Sequence, residues 1–165
     1  RKHKPIEKKL INLFVPFIAR AKESWQIKTD NSTLRRTSRS QEPAVEIILQ
    51  DQTVASGSSM TIDGGIISTG PVIINAANET DGTINLIGGD AGDSLTGGVG
   101  SDTITGNSGP DLLIGGRGDD QIYGGKGKDR IFGGSGNDFI DGGPGRDKLY
   151  GDKGADTYLT MKKWS

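Results

Sequence analysis

The sequence predicts an all-β chain wound as a solenoid of short parallel strands, and three observations predict it. A nine-residue unit runs without insertion from 88 to 159. Gly contributes 27 of the 165 residues while 32% are hydrophobic and 5% aromatic, which provides poorly for a two-layer core. One apolar residue recurs at a single phase of each unit, as expected of a coil that sends one side chain inward per strand.

Residues 1–28 read as a basic amphipathic helix. Ile6, Leu10, Phe14, Phe17, Ile18, Ala21 and Trp25 recur at intervals of three or four and share a face, and Pro16 kinks it. The apolar run 10–19 is too short to span a bilayer. Three readings stay open for this segment: a helix docking on a neighbouring domain, a signal peptide, or an anchor on an anionic membrane surface. Residues 29–43 are polar, basic and without apolar period, hence a linker. Residues 44–87 carry β-branched clusters at 45–49, 66–67, 72–74 and 84–87 between Gly, Asn, Ser and Asp turns, and read as degenerate β-rich lead-in coils. Residues 160–165 form a short or truncated C-terminal tail.

Composition removes several function classes. There is no Cys, and the only His is His3, so a disulfide framework, a Cys-ligated zinc and any site needing two imidazoles are excluded. Gly-x-Ser-x-Gly is missing: the stretches from Gly57 and Gly133 both lack the closing Gly. Charge is divided unevenly. Residues 1–40 hold eleven Lys or Arg against three acids, and 41–165 hold nine against eighteen. An acidic body points to cations as partners. No nucleic-acid partner is expected.

The repeated units are GGDAGDSLT, GGVGSDTIT, GNSGPDLLI, GGRGDDQIY, GGKGKDRIF, GGSGNDFID, GGPGRDKLY and GDKGADTYL. Six residues of turn and three of strand account for each. The central strand residues, Leu95, Ile104, Leu113, Ile122, Ile131, Ile140, Leu149 and Tyr158, form the predicted interior. Two units close one coil, so residues eighteen apart stack about 4.8 Å from one another. Asp93, Asp111, Asp129 and Asp147 then line one edge, and Asp102, Asp120, Asp138 and Asp156 the other. Unit charges about 5 Å apart repel by roughly 3 kcal/mol at an effective dielectric near 20. A divalent cation between successive carboxylates reverses that sign. Oxygen-only ligands in a flexible, Gly-rich setting suit Ca²⁺ better than Mg²⁺, and the pairs 93/111, 102/120, 111/129, 120/138, 129/147 and 138/156 predict up to six sites. The alternative is a metal-free solenoid whose Asp side chains cap turn amides. Arg117, Lys126, Lys128, Arg130, Arg146 and Lys148 read as solvated charges that moderate the ladders.

These units resemble the RTX, or haemolysin-type, calcium-binding nonapeptide repeat, Gly-Gly-x-Gly-x-Asp-x-U-x. The resemblance implies a right-handed parallel β-roll, with each ion held by two Asp carboxylates and by backbone carbonyls of the turn glycines. Carried over by position, those glycines are Gly97, Gly98, Gly100, Gly106, Gly109, Gly115, Gly116, Gly118, Gly124, Gly125, Gly127, Gly133, Gly134 and Gly136. It implies further a bacterial protein, exported unfolded and folding in extracellular calcium. Departures lie at the ends. Ala91 stands for the third Gly of the first unit, Asn107 and Asp152 for the second Gly of the third and eighth, and 79–87 has Ile84 where Asp belongs, as in a metal-free lead-in. The reading is a non-catalytic, calcium-dependent folding module of a secreted or cell-surface protein. The alternative is the accessory or secretion region of a larger exported hydrolase, cytolysin or adhesin, with an upstream domain as partner.

Overall fold

The structure, a computed structural model, describes residues 27–29, 32–37, 44–49, 54, 56–67, 70–80 and 82–159. One sheet has eight strands, in the order β1 (Ile27–Thr29), β2 (Ser32–Thr37), β3 (Ala44–Ile48), β5 (Val72–Asn75), β7 (Ser94–Thr96), β9 (Leu112–Arg117), β11 (Arg130–Ser135) and β13 (Lys148–Lys153). The other has six, in the order β14 (Thr157–Leu159), β12 (Phe139–Asp141), β10 (Gln121–Tyr123), β8 (Thr103–Thr105), β6 (Thr83–Ile87) and β4 (Ser59–Asp63). Successive strands alternate between the sheets from β3 onward, and every pairing there is parallel. This is an all-β parallel solenoid of the β-roll kind.

The register follows the period. Leu95 is level with Leu113, Ile131 with Leu113 and Leu149, and Ile104 with Ile122, which is level with Ile140. A strand of three residues has one inward position, and Leu95, Ile104, Leu113, Ile122, Ile131 and Ile140 fill it with no exposed surface. Each such burial contributes about 1.5–3 kcal/mol. Val72, Ile74, Ile84 and Leu86 extend the same core into the lead-in coils. Leu149 packs against the core only in part, and Tyr158, expected inside, is 43% exposed. The physical reason is positional: among the described residues no further coil covers the inward side of β13 and β14.

Three expectations change. Residues 29–43 read as a polar linker, but Ser32–Thr37 within them forms β2, antiparallel to both β1 and β3. An open strand edge offers a row of N–H and C=O groups, and pairing with it needs backbone alone, so a polar sequence without apolar period can still join a sheet. Ile27 and Lys28, assigned to the end of the N-terminal helix, belong to β1; the rest of that helix, and the tail 160–165, lie outside the described residues. The cluster 66–67 falls in one helical turn, α1 (Gly64–Ile67), rather than in a strand.

Candidate metal sites

Two coil edges carry the aspartates, each held at the turn that precedes a strand. Asp93, Asp102, Asp111, Asp120, Asp129 and Asp138 are all buried, at 4% exposure or less; Asp147 and Asp156, on the last coil, are half-buried. Burial of so many carboxylates without basic partners is costly unless each oxygen is satisfied.

One oxygen is. The N–H of Asp93 donates to Asp111 Oδ1 at 2.7 Å, that of Asp102 to Asp120 Oδ1 at 2.8 Å, and those of Asp111 and Asp120 to Asp129 and Asp138 Oδ1, both at 2.9 Å. Asp147 and Asp156 serve Asp129 and Asp138 in the same way at 3.0 Å. The carbonyls of Asp93, Asp102, Asp111, Asp120, Asp129 and Asp138 accept from the strand of the next coil, as Asp111 does from Arg130 N–H and Asp120 from Phe139 N–H, both at 2.8 Å. The capping role set out as an alternative above thus describes half of each carboxylate.

The other half is different. In the first two units Oδ2 accepts from its own turn, Asp93 from Gly89 N–H at 2.6 Å and Asp102 from Gly98 N–H at 2.9 Å. In the next four, Oδ2 of Asp111, Asp120, Asp129 and Asp138 is buried with no hydrogen-bond partner. Burial raises the pKa of Asp93, Asp102, Asp129 and Asp138, and pushes those of Asp111 and Asp120 up to about 7. Backbone N–H donors oppose the rise, and stacked carboxylates add to it. Asp93 and Asp129 act on Asp111, Asp102 and Asp138 on Asp120, Asp147 on Asp129, and Asp156 on Asp138. Every pair expected eighteen residues apart is therefore an electrostatic neighbour pair. No Lys or Arg is among the causes of these shifts; Arg117, Lys126, Lys128, Arg130, Arg146 and Lys148 are all exposed, as solvated charges are.

Four overlapping copies of the model for the RTX calcium-binding nonapeptide repeat match residues 87–122, 96–131, 105–140 and 123–158. Residues 87–158 are RTX repeats. No curated protein and no solved structure matches the chain. RTX repeats bind calcium, and the donor set can be tested against that ion. Among the described residues no three acidic or imidazole side chains converge, so an ion here needs main-chain oxygens to complete its shell.

At the first glycine of five units, from Gly88 to Gly124, a carbonyl oxygen of the next coil lies beside a carboxylate oxygen. A methyl placed on Gly124 would lie 2.6 Å from Asp129 Oδ2 and 2.7 Å from the Gly142 carbonyl, so only a glycine lets the orphaned carboxylate oxygen and a carbonyl of the next coil close together on this stretch of backbone. The same kind of oxygen pair closes on Gly106 (Asp111 Oδ2 and Gly124 O), on Gly115 (Asp120 Oδ2 and Gly133 O) and on Gly97 (Asp102 Oδ2 and Gly115 O). Hard oxygen donors beside an unpaired buried anion fit Ca²⁺. The second and fourth glycines also set the spacing of the coils. Gly98, Gly116, Gly125 and Gly134, and Gly100, Gly109, Gly118, Gly127 and Gly136, lie against main-chain atoms of the previous coil and set how closely coils stack. Gly88, absent from the family-derived ligand set, occupies the same phase as Gly106 and has Asp93 Oδ2 and the Gly106 carbonyl beside it in the same way; the period alone was enough to find it.

The departures keep the backbone. Asn107 and Asp152 adopt φ 73° and 65°, in the left-handed region used by Gly116 and Gly134, and Asn and Asp tolerate it better than other residues with a Cβ. Asn107 also donates through Nδ2 to the Gly88 carbonyl at 2.8 Å. At Ile84 the side chain turns into the core, while its N–H still donates to Asp102 Oδ1 at 2.8 Å, so the capping ladder begins one coil before its first carboxylate. Gly124→Ala tests this close approach. The methyl lands within 3 Å of two oxygens; the expected result is a loss of about 1–3 kcal/mol in calcium, from overpacking, with a weaker calcium midpoint by fluorescence or circular dichroism.

Proposed function

We propose that this chain is a non-catalytic, calcium-dependent folding module of a secreted or cell-surface bacterial protein, holding up to six ions between aspartates eighteen residues apart. The orphaned, buried Oδ2 atoms of Asp111, Asp120, Asp129 and Asp138 carry the reading. A carboxylate whose first oxygen caps an amide and whose second has nothing is a half-finished site, and a divalent ion with neighbouring glycine carbonyls finishes it. The metal pairs are 93/111, 102/120, 111/129, 120/138, 129/147 and 138/156, with the first-position glycines donating through their carbonyls. The lead-in coil at 79–87 binds no ion, because Ile84 replaces its Asp. Calcium supplies the positive charge that removes the repulsion between coils; the residues themselves position it and complete the turns.

Residues 1–26 could tie this module to an upstream partner, and the same properties suit the accessory region of a larger exported hydrolase, cytolysin or adhesin. Calcium-gated folding would keep such a region slack in a calcium-poor cytosol and wound outside it. A calcium titration of the 165-residue chain, followed by far-UV circular dichroism from micromolar to about 10 mM, tests the reading: strand signal should appear cooperatively, and spectra that do not change over that range would overturn it.

A further inference from the structure

The cations of the repeat have a distribution that calcium binding does not require. On the outer side of the eight-stranded sheet, Arg130 is the in-register neighbour of Lys148, and each is exposed. Lys128 and Arg146 precede them by two residues; the exposed, inward, exposed alternation through Asp129 and Asp147 puts all four cations on the outside of adjacent coils. Like charges directly opposed on a sheet face are destabilising, and among the described residues none of the four has an ion-pair partner. The equivalent positions on the six-stranded sheet are Ser101, Thr103, Asp119, Gln121, Asn137, Phe139, Ala155 and Thr157, without a cation.

Beside these cations, and in register with one another, lie Ile114, Phe132 and Tyr150, with Leu112 level with Arg130. Phe132 and Tyr150 stack at 4.9 Å with 9° between their planes, and the Arg130 guanidinium lies 5.9 Å from the Phe132 ring centre. Tyr150 is 42% exposed. An outward face of a polar solenoid has no structural need for this row. Its two aromatic rings already face each other, so they do not offer the free π-faces that a nucleic-acid base takes, and the aliphatic Leu112 and Ile114 have no use in stacking. Aliphatic and aromatic side chains flanked by Lys and Arg are what an anionic bilayer surface accepts.

We infer that the outer face of the eight-stranded sheet, centred on Ile114, Phe132 and Tyr150 and flanked by Lys128, Arg130, Arg146 and Lys148, is a docking surface for anionic membrane. The surface exists only on the wound roll, so it rests on the calcium reading above.

The test is sedimentation of the 165-residue chain with phosphatidylglycerol/phosphatidylcholine vesicles and with pure phosphatidylcholine vesicles, in calcium, beside circular dichroism of the same samples. The chain should bind the anionic vesicles and not the neutral ones. The double variant Arg130→Glu/Lys148→Glu should lower the partition coefficient by about tenfold or more, and Phe132→Ser/Tyr150→Ser should lower it with the charges intact. If either pair disturbs the wound spectrum, Lys128→Glu/Arg146→Glu, placed in turns, replaces it. A wound chain that ignores anionic vesicles, variants that bind as well as the parent, or equal binding to neutral vesicles overturns the proposal; so does duplex DNA that depends on the same residues when vesicles do not. Failure to wind in calcium would instead strike at the calcium reading.

Discussion

Stripped of calcium, the roll is expected to lose its strand signal at pH 8 and to keep much of it at pH 5. Asp111 and Asp120 have pKa values pushed up to about 7 by burial first and by stacked carboxylates second, against about 3.9 in an unfolded chain. A carboxyl whose folded pKa is raised binds its proton more tightly in the fold. Its stabilising effect is complete below the unfolded value and is lost as pH rises through about 7. Asp93, Asp102, Asp129 and Asp138 shift in the same direction. Between pH 5 and 8 ordinary surface carboxylates stay ionised, so the change reports on the ladders, and a His3→Asn chain serves as the control for the single His. The expected fall in melting temperature is on the order of 10 °C. Calcium competes with those protons, so its stabilisation should grow across the same window. With six independent sites at tenfold their dissociation constant it would reach about 1.4 kcal/mol per site, or roughly 8 kcal/mol, comparable with the whole net stability of a domain. A calcium-free chain whose melting temperature climbs from pH 5 to pH 8 would show that the carboxylates are not the seat of the strain.

The part of this arrangement legible in the sequence is the part fixed by the period. Asp at one phase and an aliphatic residue two places later set the inward side chain, the strand and the eighteen-residue register, because a nine-residue half-coil leaves no freedom to place them otherwise. Tyr158 escaped, since its burial depends on a neighbouring coil and not on its own unit. So did β2: Ser32–Thr37 joins the sheet through backbone groups that composition does not report. The division of labour within each carboxylate was also hidden. Asp supplies a capping oxygen and an ion-seeking oxygen with the same letter, and only the position of the amide of the previous coil separates them. The cations, read as solvated charges, are exposed, and alternation sends those on either side of Asp129 outward.

That division can be separated by substitution at Asp120, which belongs to the pairs 102/120 and 120/138. Its Oδ1 accepts from Asp102 N–H at 2.8 Å while its Oδ2 is the orphan. Asp120→Asn keeps an oxygen for the amide and removes the charge. Asp120→Ala removes both and leaves the Asp102 N–H buried without an acceptor, at a cost of about 1–3 kcal/mol. In calcium-free buffer at pH 8, Asp120→Asn should therefore be more stable than the parent, because a buried anion beside two others is gone, and Asp120→Ala should fall below Asp120→Asn by the cost of the lost cap. In calcium the order of parent and Asp120→Asn should reverse, since two sites lose a ligand; at tenfold the dissociation constant that is about 3 kcal/mol. Osmolyte-induced folding without calcium and urea denaturation with it read the two comparisons. The crossing is the diagnostic result. A residue needed only for its cap gives no crossing, with Asn matching Asp in both buffers, and a residue needed only for its ion leaves Ala and Asn alike; parallel curves of either kind would remove one of the two roles assigned to this carboxylate.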